Sequence, residues 1–516
     1  MTAPAVAPKA GRREWVGLAV LALPCLLYSM DLTVLNLAVP HLVADLQPSS
    51  TQLLWIVDIY GFLVAGSLIT MGTLGDRIGR RKLLLIGAVA FGLASIFAAF
   101  STSAEMLIAA RALLGIAAAT LAPSTLSLLR NMFHDDKERT FAIGIWIASF
   151  SAGGAIGPLI GGALLEYFWW GSVFLIALPV MVLLLAVGPF LLPEYRDADA
   201  GKIDIQSVVL SIGSVLAVIY GIKNFAEHGA GWLPAAAILA GLAVGYVFVR
   251  RQQKLAAPLI DLSIFRSLPF TTSLSINILS FFIAFSAFLL IAQYLQLVLG
   301  MGALEAGLWS APSGIGFIVG STLSPAIAQH FRPSYVIAGG LLIAAIGFVL
   351  LTQIGGPNEL AVVVAGYVVF SIGLAPVFTM TTDLIVGTVA PEKAGAAAGI
   401  AETSSEFGGA LGIALLGSIV TALYRADMSA VIGAGLPPEA LDAARDTLGG
   451  AVAVAVQVSG EPGMQLLAAA RLAFTQALQL TMAISAAIAL AAAIVTLVLL
   501  RQSAESGKSP LAETST

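Results

Sequence analysis

The feature that most limits this chain is a repeated one: an apolar run of about 20 residues, a short polar break, then another such run. Fourteen segments of this kind follow one another, near 15–39, 52–71, 83–101, 104–130, 141–165, 170–192, 205–225, 232–250, 268–298, 306–329, 334–353, 360–389, 394–424 and 472–500. A helix of that length satisfies all its own backbone hydrogen bonds, and in a bilayer only helices and closed barrels do so. The runs therefore predict an all-α membrane protein. Composition agrees where it bears on the point: 59% of the 516 residues are hydrophobic and 10% are charged, against roughly 25% charged in a soluble domain. Too few charges remain to cover a soluble surface of this size, or to build the basic face that nucleic acid requires. Cys25 is the single cysteine, which excludes a disulfide scaffold and a cysteine metal site. His41, His134, His228 and His330 are not spaced to share a metal. The first segment does not read as a cleaved leader, because it is too long, lacks a small-residue cleavage site and contains Asp31.

Lys and Arg gather on the cytoplasmic side of a membrane. Counted from a cytoplasmic N-terminus, Lys223, Arg425, Arg445 and Arg471 fall outside and Arg111 falls within a segment, which leaves 20 of the 25 basic residues inside. Both termini are expected in the cytoplasm. Two connections differ from the rest. Residues 193–204, PEYRDADAGKID, form a polar break after segment 6. Residues 425–471 form a long outer connection in which Leu441, Ala444, Leu448, Val452 and Val456 recur at helical spacing, after Pro437 and Pro438 and before GEPG at 460–463. A short helical hairpin on the outer face is predicted there, with an Ala/Gly-rich loop as the alternative.

Between segments 2 and 3 the chain reads GTLGDRIGRRK at 72–82. Gly72, Gly75 and Gly79 permit a tight turn and close helix approach. Asp76 suits a neighbouring helix N-terminus, where partial positive charge favours an anion. Arg77, Arg80, Arg81 and Lys82 suit the inner surface. Segment 5 contains GGAIGPLIGGAL at 153–164. Gly153, Gly157 and Gly161 are four apart, on one face, where small residues let another helix pack closely. Pro158 favours a kink, and Gly162 completes the pattern. Segment 1 contains MDLTVLNLAVP at 30–40, with Asp31, Thr33, Asn36, Ala38 and Pro40. LLWIVDIYGF at 53–62 carries Trp55, Asp58 and Tyr60, and LIAARALLGIAAA at 107–119 carries Arg111 and Gly115.

Together these stretches resemble the major facilitator superfamily and, within it, the fourteen-helix drug:proton antiporter family of multidrug exporters. The 72–82 loop is similar to the superfamily's signature loop, and the resemblance implies that it helps hold the inner gate closed. The 153–162 pattern resembles the antiporter motif of drug exporters, which symporters generally lack. The likeness runs from residue 12 to residue 424 and over the last segment, and is strongest in the first 165 residues. It implies a six-plus-two-plus-six arrangement with two pseudo-symmetric lobes. Residues 1–14 would be a cytoplasmic tail, 15–192 the first lobe, 193–266 a linker with two inserted helices, 267–501 the second lobe, and 502–516 a second tail. One departure is plain: part of the family carries an acid in segment 10, and here Ala306 to Gly320 is uncharged. QHFRPS after that segment keeps Arg332 but lacks the glycines of 72–82.

A charge at bilayer depth costs at least about 2.5–3.5 kcal/mol, so one retained there marks a cavity or a partner. Asp31, Asp58, Arg111, Glu402 and Glu406 lie well inside segments, and Asp383 lies nearer an inner end, where it is expected to cap or pair. Asp31, Asp58 and Arg111 all fall in the outer half of the first lobe. One arginine does not neutralise two acids, so at least one acid is expected to titrate; the alternative is a structural buried ion pair. Glu402 and Glu406 are four apart on one face, and like charges that close disfavour double ionisation. They are expected to titrate as a pair. Candidate aromatics for contact with a cation are Trp55, Tyr60, Trp146, Phe150, Phe285, Tyr294, Trp309, Phe378 and Phe407.

The expected function is proton-coupled efflux of lipophilic organic cations (quaternary ammonium compounds, dyes such as ethidium, fluoroquinolones) across a bacterial inner, or plasma, membrane. The coupling ion is H+, the working unit a monomer in the bilayer, with no cofactor, metal or nucleic-acid partner. An exporter of a lipid, a siderophore or another endogenous metabolite on the same fold is the alternative. No triad, metal set or phosphate loop supports an enzyme.

Overall fold

In the computed structural model the described residues are 9–48, 50–196, 204–228, 231–255, 258–356, 358–390, 393–429, 438–458 and 460–506. They form α1 (Arg12–Leu46), α2 (Ser50–Ile78), α3 (Arg80–Ala99), α4 (Ala104–Met132), α5 (Asp136–Tyr167), α6 (Ser172–Leu175) and α7 (Ala177–Leu191). Next come α8 (Ile205–His228), α9 (Trp232–Gln252), α10 (Leu268–Gln293), α11 (Ala303–Ala328), α12 (Pro333–Leu351), α13 (Glu359–Gly387) and α14 (Ala394–Ser429). The chain closes with α15 (Pro438–Asp446), α16 (Leu448–Gln457) and α17 (Glu461–Ser506). With α6 and α7 taken as one span, 13 helices among the described residues are long and apolar enough to cross a membrane. The other long helix, α5, has 32 residues and no charge from Phe141 to Leu165.

The packing repeats. In the first half α1 lies on α5, α2 on α4, and α3 on α4 and α7; in the second α10 lies on α14, α11 on α13, and α12 on α13 and α17. Two seams join the halves, α2 against α14 and α5 against α11. Glycine provides the same close approach on both sides. A Cβ on Gly153 of α5 would lie 2.2 Å from the Leu26 carbonyl of α1, and one on Gly412 of α14 would lie 2.0 Å from the Phe282 carbonyl of α10. Helices α8 and α9 pack on each other, and α8 covers the α2–α14 seam. Only Pro234, Gly241, Phe248 and Gln252 of α9 are buried, so its apolar side chains face outward, as a bilayer requires of a peripheral helix.

Two boundaries differ from those predicted. The last helix starts at Glu461, so the GEPG stretch opens α17 instead of closing the preceding connection. Pro462 falls in the first helical turn, where its missing N–H is not needed, and Gly460 takes the positive φ of 99° before it. The apolar run of the long connection is divided into α15 and α16 at Thr447, whose hydroxyl accepts from the Gly450 N–H. In α16 the buried residues are Leu448, Ala451 and Val454, while Val456 is 78% exposed. The Tyr424 hydroxyl donates to the Ala444 carbonyl (2.8 Å) and ties α15 to the end of α14. Pro437 lies outside the described residues.

Candidate functional site

Helix α1 places Tyr28 and Asp31 three residues apart, on one face. Helix α4 comes close to α2 because Gly115 has no side chain: a Cβ there would lie 2.6 Å from the Tyr60 carbonyl. One turn earlier, Arg111 donates through Nε to the Ile56 carbonyl (3.1 Å) and through Nη1 to Asp31 Oδ2 (2.5 Å). Its guanidinium stands over the Tyr60 ring, 4.6 Å from the centroid. Arg111 and Tyr60 are wholly buried, and Tyr60 Oη has no hydrogen-bond partner among the described residues. Asp31 also borders a narrow crevice whose lining includes Phe91 and Phe174. The side chains of Asp58, Thr33, Asn36 and Pro40 lie outside the described residues.

Helix α14 carries Glu402 and Glu406. Glu406 Oε1 accepts a hydrogen bond from Tyr28 Oη at 2.8 Å, which joins the second lobe to the first. The Tyr28 ring meets Phe150 edge-on (5.7 Å) and Tyr60 at a tilt (6.2 Å), and Phe150 meets Trp146 edge-on (4.8 Å). Trp146 Nε1 donates to Thr125 Oγ1 (2.9 Å), which fixes the ring. Tyr60, Trp146 and Phe150 thus form one wall with Tyr28. Phe378 belongs to a second cluster with Phe281 (4.3 Å) and Phe317 (5.8 Å). Phe285 borders that cluster through Phe281 (5.6 Å), and Phe407 is half-buried on α14. Trp55 and Trp309 are 39% and 42% exposed and stand apart from the buried wall. The Tyr294 hydroxyl bonds Glu359, away from the acids of α14.

Sequence reasoning missed two members of this region. Tyr28 carried a signal, its spacing three residues before Asp31. Asn277 on α10 carried none beyond a serine-rich surrounding. It is wholly buried and donates to Ser404 (3.2 Å) and Ser405 (3.0 Å), while its Oδ1 accepts from Thr381 (3.2 Å).

The 72–82 turn sits at one end of the α2–α14 seam. A Cβ on Gly72 would lie 2.2 Å from the Gly395 carbonyl, so the two backbones touch. Asp76 accepts from the Gly395 N–H (3.0 Å) and the Ala396 N–H (2.9 Å) at the N-terminus of α14, and it pairs with Arg80 (2.8 Å). Arg80 departs from the surface position read from sequence: it is wholly buried, with its guanidinium over the Tyr195 ring (5.0 Å). Gly79 has a φ of 110°, and the Glu194 carboxylate beside it accepts from the Arg81 and Lys82 N–H groups (3.1 Å each), capping α3. Arg81 donates to the Pro189 and Leu192 carbonyls, and Arg77 to the Pro258 carbonyl (3.3 Å). Gly75 packs on Leu83. At the same end of the molecule Arg139 Nε donates to Asp383 Oδ1 (2.7 Å) and Thr140 Oγ1 to Oδ2 (2.8 Å), joining α5 to α13. Of the 153–162 pattern, Gly153 and Gly161 meet α1, Gly157 is buried, and Gly162 faces open space. The Pro158 side chain lies outside the described residues.

The Major Facilitator Superfamily profile matches residues 21–413. The multidrug efflux pump LfrA of Mycolicibacterium smegmatis is 44% identical over 490 residues, which cover 95% of this chain and 97% of that protein. The methyl viologen resistance protein SmvA of Salmonella typhimurium is 33% identical, over 90% of this chain and 93% of its own. The tetracenomycin C resistance and export protein of Streptomyces glaucescens is 31% identical, over 87% and 82%. Among solved structures, the human organic anion transporter MFSD10 aligns with a TM-score of 0.58 at 15% identity, covering 94% of this chain and 99% of that one, a likeness of fold.

Proposed function

The chain belongs to the major facilitator superfamily, and from that premise we propose that it is a proton-coupled multidrug efflux antiporter that exports lipophilic organic cations by alternating access. It is a multi-pass membrane protein, and its relatives named above include bacterial drug pumps. One observation carries the reading: both lobes hold acids within their spans, and Glu406 of the second faces the first directly through Tyr28.

A carboxylate at that depth holds either a proton or the positive charge of a cargo, because an uncompensated charge there is costly. That competition suffices for exchange if the site faces one side at a time. A proton arriving from outside discharges the cation there; on the cytoplasmic side the next cation displaces the proton. Glu402 and Glu406 perform this exchange. Asp31, held by Arg111, and Asp58 supply the acids of the first lobe. The wall of Tyr60, Trp146 and Phe150 adds cation–π contact of about 0.5–2 kcal/mol for each well-placed ring. Phe285, Phe378 and Phe407 contribute from the second lobe.

The acid excess and the printed name of one relative, SmvA, support a cationic cargo, since methyl viologen is a dication. The distribution of basic residues supports a cytoplasmic position for the 72–82 face. There the Asp76 bonds to α14 and the Arg139–Asp383 pair keep the lobes together while the site faces outward. The proposed working unit is a monomer in the bilayer.

Ethidium accumulation in cells with and without the protein tests the reading, at equal expression of Asp31→Asn, Asp58→Asn, Glu402→Gln and Glu406→Gln. The protein is expected to lower accumulation, and neutralised acids to restore it. Normal export by all four variants would refute the site.

A further inference from the structure

We propose that Tyr28 sets cargo affinity and turnover in this exchange: its hydroxyl occupies the Glu406 oxygen that an arriving cation needs, and the cargo binds by displacing it. This rests on the reading of Glu406 as a cation site.

The geometry leads there in steps. Tyr28 Oη lies 2.8 Å from Glu406 Oε1, and the two residues belong to different lobes. The Tyr28 side chain is buried, and its ring is confined by Phe150 on α5 and Tyr60 on α2. The bond is therefore broken in two ways: α1 and α14 move apart, or something else takes the carboxylate. A cation is the group fitted to take it. Glu402 lies one turn away on the same helix, and Arg111, over the Tyr60 ring, is bonded to Asp31 and the Ile56 carbonyl. The aromatic faces beside the carboxylate suit a flat or quaternary cation better than a hydrated metal ion. Tyr60 Oη, buried and unpaired among the described residues, leaves a polar group on the same wall for what the displacement rearranges.

Tyr28 then has two opposed effects. Its hydroxyl competes with cargo for Glu406, which weakens cargo binding. By returning to Glu406 the same hydroxyl helps expel the cargo, which speeds its release. Its ring, independently, is part of the surface that receives the cargo.

The test uses the full chain in proteoliposomes, with ethidium export resolved into KM and kcat. Tyr28→Phe keeps the ring and removes the competitor, so KM is expected to fall several-fold and kcat to fall with it. Tyr28→Leu removes the ring, and KM for ethidium is expected to rise. Fluorotyrosine at position 28 is a stronger hydrogen-bond donor, so KM is expected to rise there too, a measurement that does not depend on the phenylalanine variant folding. A KM that is unchanged or raised in Tyr28→Phe, or lowered by fluorotyrosine, overturns the proposal. Glu406→Gln separates the two levels. If it exports normally, the cation-site reading fails. If it is inactive while Tyr28→Phe keeps the parental KM, the role of Tyr28 alone fails.

Discussion

Arg111 shows at the scale of one residue how a membrane protein keeps a buried base. The guanidinium finds a carboxylate in Asp31, a carbonyl in Ile56 and a ring face in Tyr60, while its Nη2 is buried without a hydrogen-bond partner among the described residues. Removing one partner of a buried pair costs about 3–5 kcal/mol, because the remaining charge is uncompensated. Asp31→Asn is therefore expected to lower the unfolding midpoint in detergent markedly. Asp31→Asn combined with Arg111→Gln is expected to recover most of that loss without recovering export. If the double variant exports normally, Asp31 serves structure alone. The pairing of Arg111 with a first-lobe acid was legible in sequence, since both are costly at that depth. Tyr28 was not, because a tyrosine in a span has many ordinary uses.

At the scale of elements, the segment after α9 is a strap between lobes. Gln252 shapes it, accepting from the Leu259 N–H (2.6 Å) and donating to Ser207 (2.7 Å). Thr73 of α2 donates to the Leu259 carbonyl (3.0 Å), while Lys393, just before α14, bonds Asp261 (2.5 Å). Leu259 and Ile260 share an apolar cluster with Ile385, Val389 and Ala397. At the start of α8, hydrogen bonds from Arg251, then Ser207, hold the Asp204 carboxyl well below the usual carboxylate range and tie α8 to α9. Hydrogen bonds from Lys393, then Ser263, hold the Asp261 carboxyl down to about 2. A lowered carboxylate stabilises the fold above its ordinary value of about 3.9, and the contribution is lost only as pH falls through the folded value. The strap is therefore expected to stay formed from pH 5 to 8, and the proposed proton coupling is not expected to act through it.

Lys393→Ala is expected to leave the pH dependence of export over that range unchanged. It should also raise maleimide labelling of a cysteine placed at Ala396, in a Cys25→Ala background that removes the single native thiol. Unchanged labelling would mean that the strap holds nothing. The spans themselves were legible from their apolar runs. The break at Thr447 was not, because one capping hydroxyl overrides a continuous apolar period.

At the scale of the whole molecule, the described acids that lie well inside spans fall in two places. Asp31 sits with Arg111 in the first lobe, and Glu402 and Glu406 lie on α14 of the second. Exchange of one proton for one monovalent cation moves no net charge, whereas each further proton draws on the membrane potential, about 2.3 kcal/mol per 100 mV. Two acidic places allow more than one proton per cycle. Export of a monovalent dye is thus expected to persist when the pH gradient is collapsed and the potential retained. Loss of all coupling under that condition would restrict the exchange to one proton.

The sequence by itself determined that this is a helical membrane protein and which family it resembles. A bilayer leaves an apolar run of that length no other fold, and the glycine-rich stretches at 72–82 and 153–162 are readable without coordinates. It also singled out the few charges whose burial demands a reason. Only the tertiary structure decided what those charges meet. Tyr28 and Glu406 are 378 residues apart, Asp76 and Gly395 319, and Arg139 and Asp383 244. Helical periodicity relates a residue to neighbours one turn away, so it assigned faces within single helices. Contacts between lobes depend on how two bundles close on each other, and that closure follows from glycine-lined seams spread along the whole chain.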